Sequence, residues 1–543
     1  MAFLCAAYGP LAPSDWAGQV SDLGDWSGGV RLRDWQDQEG IVRLAALDPS
    51  RAAIGVGPAR AAAMVGLVEA GAGGAAAVLE AYDRAGVSGL ASLRGEFAYV
   101  LWDGRDRSLF VGCDAVGLRA LAYNWNGRTF LASTRALSLL GQADRPPAFD
   151  PVYLAHALGG IWSRSASATA FAGVRRMLGG ELLRVSSRGL ERLEGARLTF
   201  RAPRRQGRDG AVRELAEVLD EAVAGDAGRG ASCVSISGGL DSCVVATALA
   251  RKQTELAALS LVAPEGCPGD AASLSALVAA FPGLRHHPIP LTGDTDSLNT
   301  GPLSDDPICA GPILQSGRAA LLRAARNLGF QRVFNGDGAD EIFEMAWRPG
   351  DLIRQGALGR VFSALGSRTS ASRLVRGFII GGRGPLSDLA LERARARVRA
   401  RRPWLRSAFW ESPSFASAWT EVVTFARRRG VRDRLPEILG AHGRHWRAQE
   451  LERLSAGVEG SSPFLRRSVV ELVGSLSADV AVDLTHGKVL MRHLAAQRVA
   501  PGLAWRPKNE PLSEWLIARW ITSDAHSGRV LSQIKDSPVL APL

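Results

Sequence analysis

Ser237-Gly238-Gly239-Leu240-Asp241-Ser242 has the makings of a phosphate-binding turn. A strand-like run at 231–236 enters it and a helix-like run at 243–252 leaves it. That order aims backbone N–H groups at an anion, and the glycines let the anion come close. The turn is not of the Walker type, which ends in Gly-Lys-Ser/Thr. A second cluster, Asn335-Gly336-Asp337-Gly338-Ala339-Asp340-Glu341, follows another apolar strand. It gathers carboxylates where open α/β sheets place ligands, at a strand's C-terminal end. The twelve-residue spacing of a calcium loop is absent; beside a phosphate, such carboxylates suit Mg²⁺. A Gly/Asp turn alone is most often only a turn. The presence of the loop at 237–242 reverses that reading.

The lysines are the third chemical signal. The net charge of +11 comes almost wholly from arginine, and only Lys252, Lys488, Lys508 and Lys535 are lysine. A chain that writes Arg almost everywhere makes each retained Lys a candidate for a role that Arg cannot fill. The alternative for any one of them is chance survival on a surface.

At 543 residues the chain has room for two or three domains. No run approaches the ~20 apolar residues of a membrane helix. The start carries no basic n-region, so a signal peptide is not expected. The six cysteines are scattered without metal spacing, which fits a reducing cytoplasm. The basic balance admits nucleic acid, or equally ATP with an acidic peptide.

Residues 90–140 read as short strands punctuated by turn signals. A helix is expected at 149–160 and a strand at 181–187, with a polar linker at 201–210. After a helix at 211–225, strands and helices alternate through 337, which predicts a parallel sheet covered by helices. Beyond 350 the pattern is mostly helical. The Arg-dense run 392–404 is expected to be a solvated helix face, with a partner or leader-peptide surface as the lesser reading.

The motif at 237–242, Gly336-Asp337-Gly338-Ala339-Asp340-Glu341, Pro463-Phe464-Leu465, Gly487-Lys488-Val489-Leu490-Met491-Arg492 and Arg506-Pro507-Lys508 occur in the order found in the asparagine synthetase superfamily. Over roughly 205–520 the chain resembles its synthetase domain. Arg94-Gly95-Glu96-Phe97-Ala98, Asp114-Ala115-Val116-Gly117-Leu118-Arg119 and Ala132-Ser133-Thr134-Arg135 resemble its glutaminase domain. The resemblance implies an α/β protein: a degenerate Ntn-hydrolase-type αββα sandwich (1–203), then an ATP-pyrophosphatase parallel α/β domain with a helical extension (204–543). It implies ATP and Mg²⁺ as cofactors. Ser237, Gly238, Gly239, Asp241 and Ser242 would hold the pyrophosphate part of ATP, Asp241 and Asp340 the metal. Ile236, Leu261 and Gly336 would line adenine and ribose. Lys508 matches the catalytic lysine, placed over the developing oxyanion. Lys488 stands between support of the phosphates and a place on a helix surface. Asp337 occupies a position held by a catalytic tyrosine in β-lactam synthetases, and the absence of that tyrosine argues against β-lactam closure. Glu450, Glu452 and Glu459 are candidate bases, with a structural role the stronger reading for each.

One departure shapes the functional expectation. A working glutaminase of this type needs cysteine directly after the initiator Met; residue 2 is Ala, and Cys5 is interior. Two glutamine-binding segments are also missing. The first domain is therefore expected to release no ammonia, and the amine must come from the substrate. Together with a long helical insertion at 345–445, this resembles the lasso-peptide cyclases. These adenylate an Asp or Glu side chain of a precursor peptide and close a macrolactam with its N-terminal amine. A leader peptidase and a leader-binding protein are then the expected partners, with no membrane. The competing readings are an ammonia-dependent asparagine synthetase or other such ligase, a basic RNA-modifying enzyme, and a dead binding protein.

Overall fold

The computed structural model describes residues 3–10, 16–17, 20, 33–47, 53–69, 73–140, 148–161, 167–203, 206–228, 230–253, 255–262, 271–281, 283–290, 312–365, 375, 379, 384–428 and 430–506. The N-terminal part is two stacked six-stranded antiparallel sheets. One runs in the order Val174–Arg176, Ala122–Trp125, Phe130–Ser133, Phe3–Tyr8, Val42–Leu47, Arg33–Gln36. The other runs Gly189–Glu194, Glu181–Ser186, Ser108–Cys113, Gly95–Asp103, Arg60–Val68, Ile54–Val56. Strand alternation separates the layers. Ala98 and Val100 meet Leu4, Ala6, Leu44 and Phe130 between the sheets. Phe97, Tyr99 and Leu101 face the other way, against Val78 and Tyr82 of helix Ala75–Ser92. A helical turn, Leu137–Leu140, packs on the outer face of the first sheet. This is the αββα order of an Ntn-type domain.

The C-terminal part holds a parallel sheet in the order Leu284–Pro290, Leu256–Val262, Ser232–Ser235, Arg332–Phe334, Glu459–Ser461. Both faces are covered, as a parallel sheet requires. Val234, Ala258 and Phe334 pack against helices Arg208–Ala227, Leu240–Ala250 and Val489–Arg498. Cys233, Leu259 and Val333 pack against Leu321, Leu322 and Ala325 of Pro312–Asn327. The fifth strand, Glu459–Ser461, lies in the stretch expected to be helical. Three residues reading Glu-Gly-Ser carry no apolar alternation, so the strand leaves no periodic signal. The helix expected at 211–225 starts three residues earlier, inside the expected linker, at Arg208.

Buried charges join the two parts. Arg466 donates to Glu96 at 3.1 Å and to Asp226, and Ser461 Oγ donates to Asp226 at 2.6 Å. Arg332 spans Asp226 and Glu459, and Arg119 pairs with Glu450 at 2.5 Å. Asp226 and Glu96 are buried. Burial opposes the Asp226 charge, but Arg466, Ser461 and Arg332 outweigh it and hold the carboxyl below its ordinary value. A depressed folded-state pKa contributes stability above the unfolded value of ~4, lost as pH falls through the folded one. Arg466→Met should therefore cost about 3 kcal/mol in urea denaturation at pH 7, because it removes the guanidinium shared by two buried carboxylates. Its disadvantage should shrink below pH ~4 as the Asp226 carboxyl protonates. An unchanged denaturation midpoint at pH 7 would show that the network contributes nothing.

Candidate functional site

The sheet order decides where a ligand can bind. From Ser232–Ser235 the chain crosses to Leu256–Val262 on one side, while Arg332–Phe334 lies on the other. The order reverses there, and open α/β sheets bind ligands in the crevice beyond the strand C-termini at such a point. The turns at 237–242 and 335–341 leave those two strands and flank that crevice. Their closeness is steric as well as topological. A Cβ on Gly336 would stand 2.8 Å from Asp241 Cβ and 3.1 Å from the Ser242 nitrogen. Only glycine lets the second turn lie against the helix N-terminus that the first one builds.

The first turn is tied by its own side chains. Gly238 adopts φ +76°, a left-handed conformation that suits glycine. Ser237 Oγ accepts the Gly239 N–H at 3.2 Å. Ser242 Oγ accepts the Ser237 N–H and donates to the Gly239 carbonyl, both at 3.3 Å. Helix Leu240–Ala250 then begins with Leu240, Asp241 and Ser242 as its first turn, whose N–H groups have no intrahelical acceptor. Ser237 is exposed and Ile236 is buried, its N–H donating to Leu259 O at 2.9 Å. Ile236 and Leu261 lie at the C-terminal ends of adjacent strands, at the same edge of the crevice.

The second turn is held from below. Asn335 donates its N–H to Ser461 O, while its Oδ1 accepts from Asp337 N–H and Ser462 Oγ. Gly338 at φ +91° sits on Leu465, so that a Cβ would come within 2.3 Å of Cδ2. Phe464 and Leu465 are fully buried. The motif at 463–465 thus serves as the floor of the Asp turn. Asp337 pairs with Arg453 at 2.9 Å, its carboxylate engaged by the long helix Val431–Ala456.

Lys488 is the centre of the arrangement. Its Nζ lies 2.7 and 2.6 Å from the two Asp241 oxygens and 2.8 Å from Asp340 Oδ1. The backbone there is left-handed, φ 55°, and the residue caps helix Val489–Arg498. Burial works against its charge, but Asp241 and Asp340 outweigh it and raise the Lys488 pKa above the usual lysine value. The helix-surface alternative for Lys488 is therefore excluded: the side chain is 9 % exposed. Lys508 lies outside the described residues. The segment leading to it is fixed by Arg492, which donates to the carbonyls of Gly487, Ala504 and Arg506. Arg506 in turn donates to Gly238 O and Ser273 Oγ. Sequence reasoning assigned no role to Arg453, Arg492 or Arg506. The last two fall inside quoted motifs, which was the available signal; Arg453 has none. The three glutamates weighed as bases are all ion-paired: Glu450 with Arg119, Glu452 with Arg318, Glu459 with Arg332.

Asp241 and Asp340 converge on one cation, and Asp340 is half exposed. Among the described residues no three His, Cys, Asp or Glu side chains gather as a metal cage. Two carboxylates with room for phosphate oxygens and water are nonetheless a set that Mg²⁺ accepts. Lys488→Met should remove the ammonium that the two carboxylates share. The expected cost is about 1–3 kcal/mol, below that of a fully buried pair because water reaches both acids. Millimolar Mg²⁺ should recover much of it in thermal melts. A variant insensitive to Mg²⁺ would show that the two acids do not form a cation site.

Residues 214–538 match the asparagine synthase family, and residues 70–194 match a glutamine amidotransferase domain. Amidase chry2 of Gibberella zeae is 27% identical over 296 residues, covering 49% of this chain and 42% of that protein. Amidase chyE of Penicillium rubens is 27% identical over 293 residues, with the same coverage. The chain thus spans about two fifths of the length of these curated relatives. A solved glutamine phosphoribosylpyrophosphate amidotransferase from B. subtilis, complexed with ADP and GMP, aligns at TM-score 0.24 and 10% identity over 53% of this chain and 65% of that one. The asparagine synthase match takes in more than half of the chain, which belongs to that family.

Proposed function

We propose that this protein forms an amide bond inside a peptide, joining an Asp or Glu side chain to the peptide's own N-terminal amine. The observation that carries the reading is the convergence of Asp241 and Asp340 on one cation, against a helix N-terminus at the sheet's switch point. ATP would supply the α-phosphorus: the substrate carboxylate attacks it, pyrophosphate leaves, the amine then attacks the acyl carbon, gives up a proton and expels AMP. Ser237, Gly238, Gly239 and the first-turn N–H groups of Leu240–Ala250 would receive the pyrophosphate oxygens. Asp241 and Asp340 would hold Mg²⁺ against those oxygens, with Lys488 shifting from the carboxylates toward the phosphates. Ile236, Leu261 and Gly336 would border the nucleoside. Lys508 would stabilise charge on the oxyanion, as a fixed cation does without reorganisation. Asp337 would orient the reacting end through its pair with Arg453.

The amine is assigned to the substrate because the first domain offers no accessible cysteine among its described residues. Cys5 lies in mid-strand between Ala45 and Ser133, and both it and Cys113 are buried. The precursor peptide would be delivered by a leader peptidase and a leader-binding protein, in the cytoplasm. Buried thiols agree with that setting.

The test is exchange of radiolabelled pyrophosphate into ATP, with mass analysis of the peptide. Exchange should require a peptide bearing a carboxylate, and the product should lose one water. Asp241→Asn and Lys508→Met should each lower turnover by about 10²–10³. Exchange supported by free aspartate, with ammonia yielding asparagine, would overturn the macrolactam reading in favour of an ammonia-dependent synthetase.

A further inference from the structure

We infer that the groove between the first domain and the arginine-rich helix is a docking site for an acidic, partly apolar peptide segment. Helix Pro385–Ala400 and the residues after it form one wall, and Gly160 forms the other. The groove has a volume of about 800 Å³ and is lined by Gly160, Ala394, Arg397, Val398, Arg401, Arg402 and Trp404. That size is typical of a ligand cleft. None of these residues belongs to the phosphate turn, so the site is separate from the one described above.

Five arginines on the helix and just beyond its end fall into two sets. Arg395 lies over the Phe415 ring and donates to Trp410 O, and Arg399 donates to Ser407 Oγ. Those two brace the small core around Phe409, Trp410 and Phe415, which also includes Ala155 and Ile161 of the first domain. Arg397, Arg401 and Arg402 have no carboxylate partner among the described residues, and all three turn to the groove. Arg402 is packed so tightly on Gly160 that a Cβ there would lie 1.4 Å from its guanidinium. Trp404 beside them is 63% exposed, an unusual place for an indole unless something covers it.

Three uncompensated forks suit carboxylates. Ala394, Val398 and Trp404 suit an apolar side chain between those carboxylates. Two helices, Pro151–Gly159 and Pro385–Ala400, end at this groove, and C-terminal helix ends carry partial negative charge. That offsets part of the arginine charge and disfavours a compact polyphosphate more than singly charged carboxylates. A nucleic acid would need a longer basic track than three arginines within six residues.

The probe is a dansylated peptide of alternating Glu and Leu, titrated by fluorescence anisotropy into the full chain without ATP. Binding should weaken as salt rises. Reversing two charges, Arg397→Glu with Arg401→Glu, should weaken it about tenfold or more, and Trp404→Ala should weaken it with the salt dependence kept. If the reversal variant fails to fold, Arg397→Gln with Arg401→Gln makes the same test. Equal affinity in wild type and variants would overturn the proposal. So would displacement of the peptide by single-stranded RNA at lower concentration, which would make the groove a nucleic-acid surface. Pyrophosphate exchange is read separately, so a failure of this docking site and a failure of the amide-forming reading are told apart.

Discussion

The ammonium of Lys488, held between Asp241 and Asp340, is the contact on which the site depends. The three residues come from three distant motifs: a helix N-terminus, a turn after a parallel strand, and the cap of a late helix. Apolar packing holds the late helix on the sheet, through Val489, Leu490, Met491 and Leu494. The charge contact then sets the last few ångströms: it draws together two like charges that would otherwise repel across the crevice. Lys488 accepts a left-handed backbone to do so. A non-glycine residue in that region costs about 1–2 kcal/mol, which the rest of the fold must offset.

This arrangement also explains why a lysine persists in a chain that otherwise uses arginine. A planar guanidinium matches one carboxylate edge-on. Nζ instead reaches both oxygens of Asp241 and one of Asp340 within 2.8 Å, as a point charge with three donors can. The same compactness would let it move toward a phosphate without reorganising its neighbours. Glycine works beside it by subtraction. Gly336 removes the one atom that would separate Asp241 from the second turn, and Gly338 removes the one that would lift that turn off Leu465.

Much of this was legible before any coordinates. Alternating strands and helices after residue 211 forecast the parallel sheet, because buried strands and their covering helices leave long apolar runs. The pairing of the turns at 237–242 and 335–341 was legible from their joint occurrence, since a Gly/Asp turn alone is most often only a turn and the phosphate-type loop gives its carboxylates a partner. What was not legible lies in contacts without local pattern. Asp337 stands at a catalytic position by resemblance, yet its partner Arg453 lies on a helix far along the chain. Glu450, Glu452 and Glu459 look alike as acids; only the arginine each one meets tells their roles. Glu459–Ser461 is too short and too polar to announce a strand, and it forms because Arg332–Phe334 offers it an open edge.

The first domain is held as part of the second rather than beside it. Val116 counts among the buried residues of the synthetase core, with Leu118 packed against it. The loop around them wraps Asp114, whose carboxylate accepts N–H groups from Phe97, Val116, Gly117 and Leu118. Burial pushes the Asp114 carboxyl up to about 6, with the Val116 N–H opposing it. Glu96 and Arg119, next to that loop, then reach across to Arg466 and Glu450. Such buried pairs add little net stability compared with apolar packing, since desolvation consumes most of their attraction. Their effect is on register: a misdocked domain would leave several charges buried and unpaired. Arg466 also grips Asp226, and Asp226 grips Arg332 and Ser461 at the base of the strands that carry the Asp turn. A domain whose cysteines are buried can thus still be needed, because its docking surface completes the electrostatic footing of the strands that present Asp337 and Asp340.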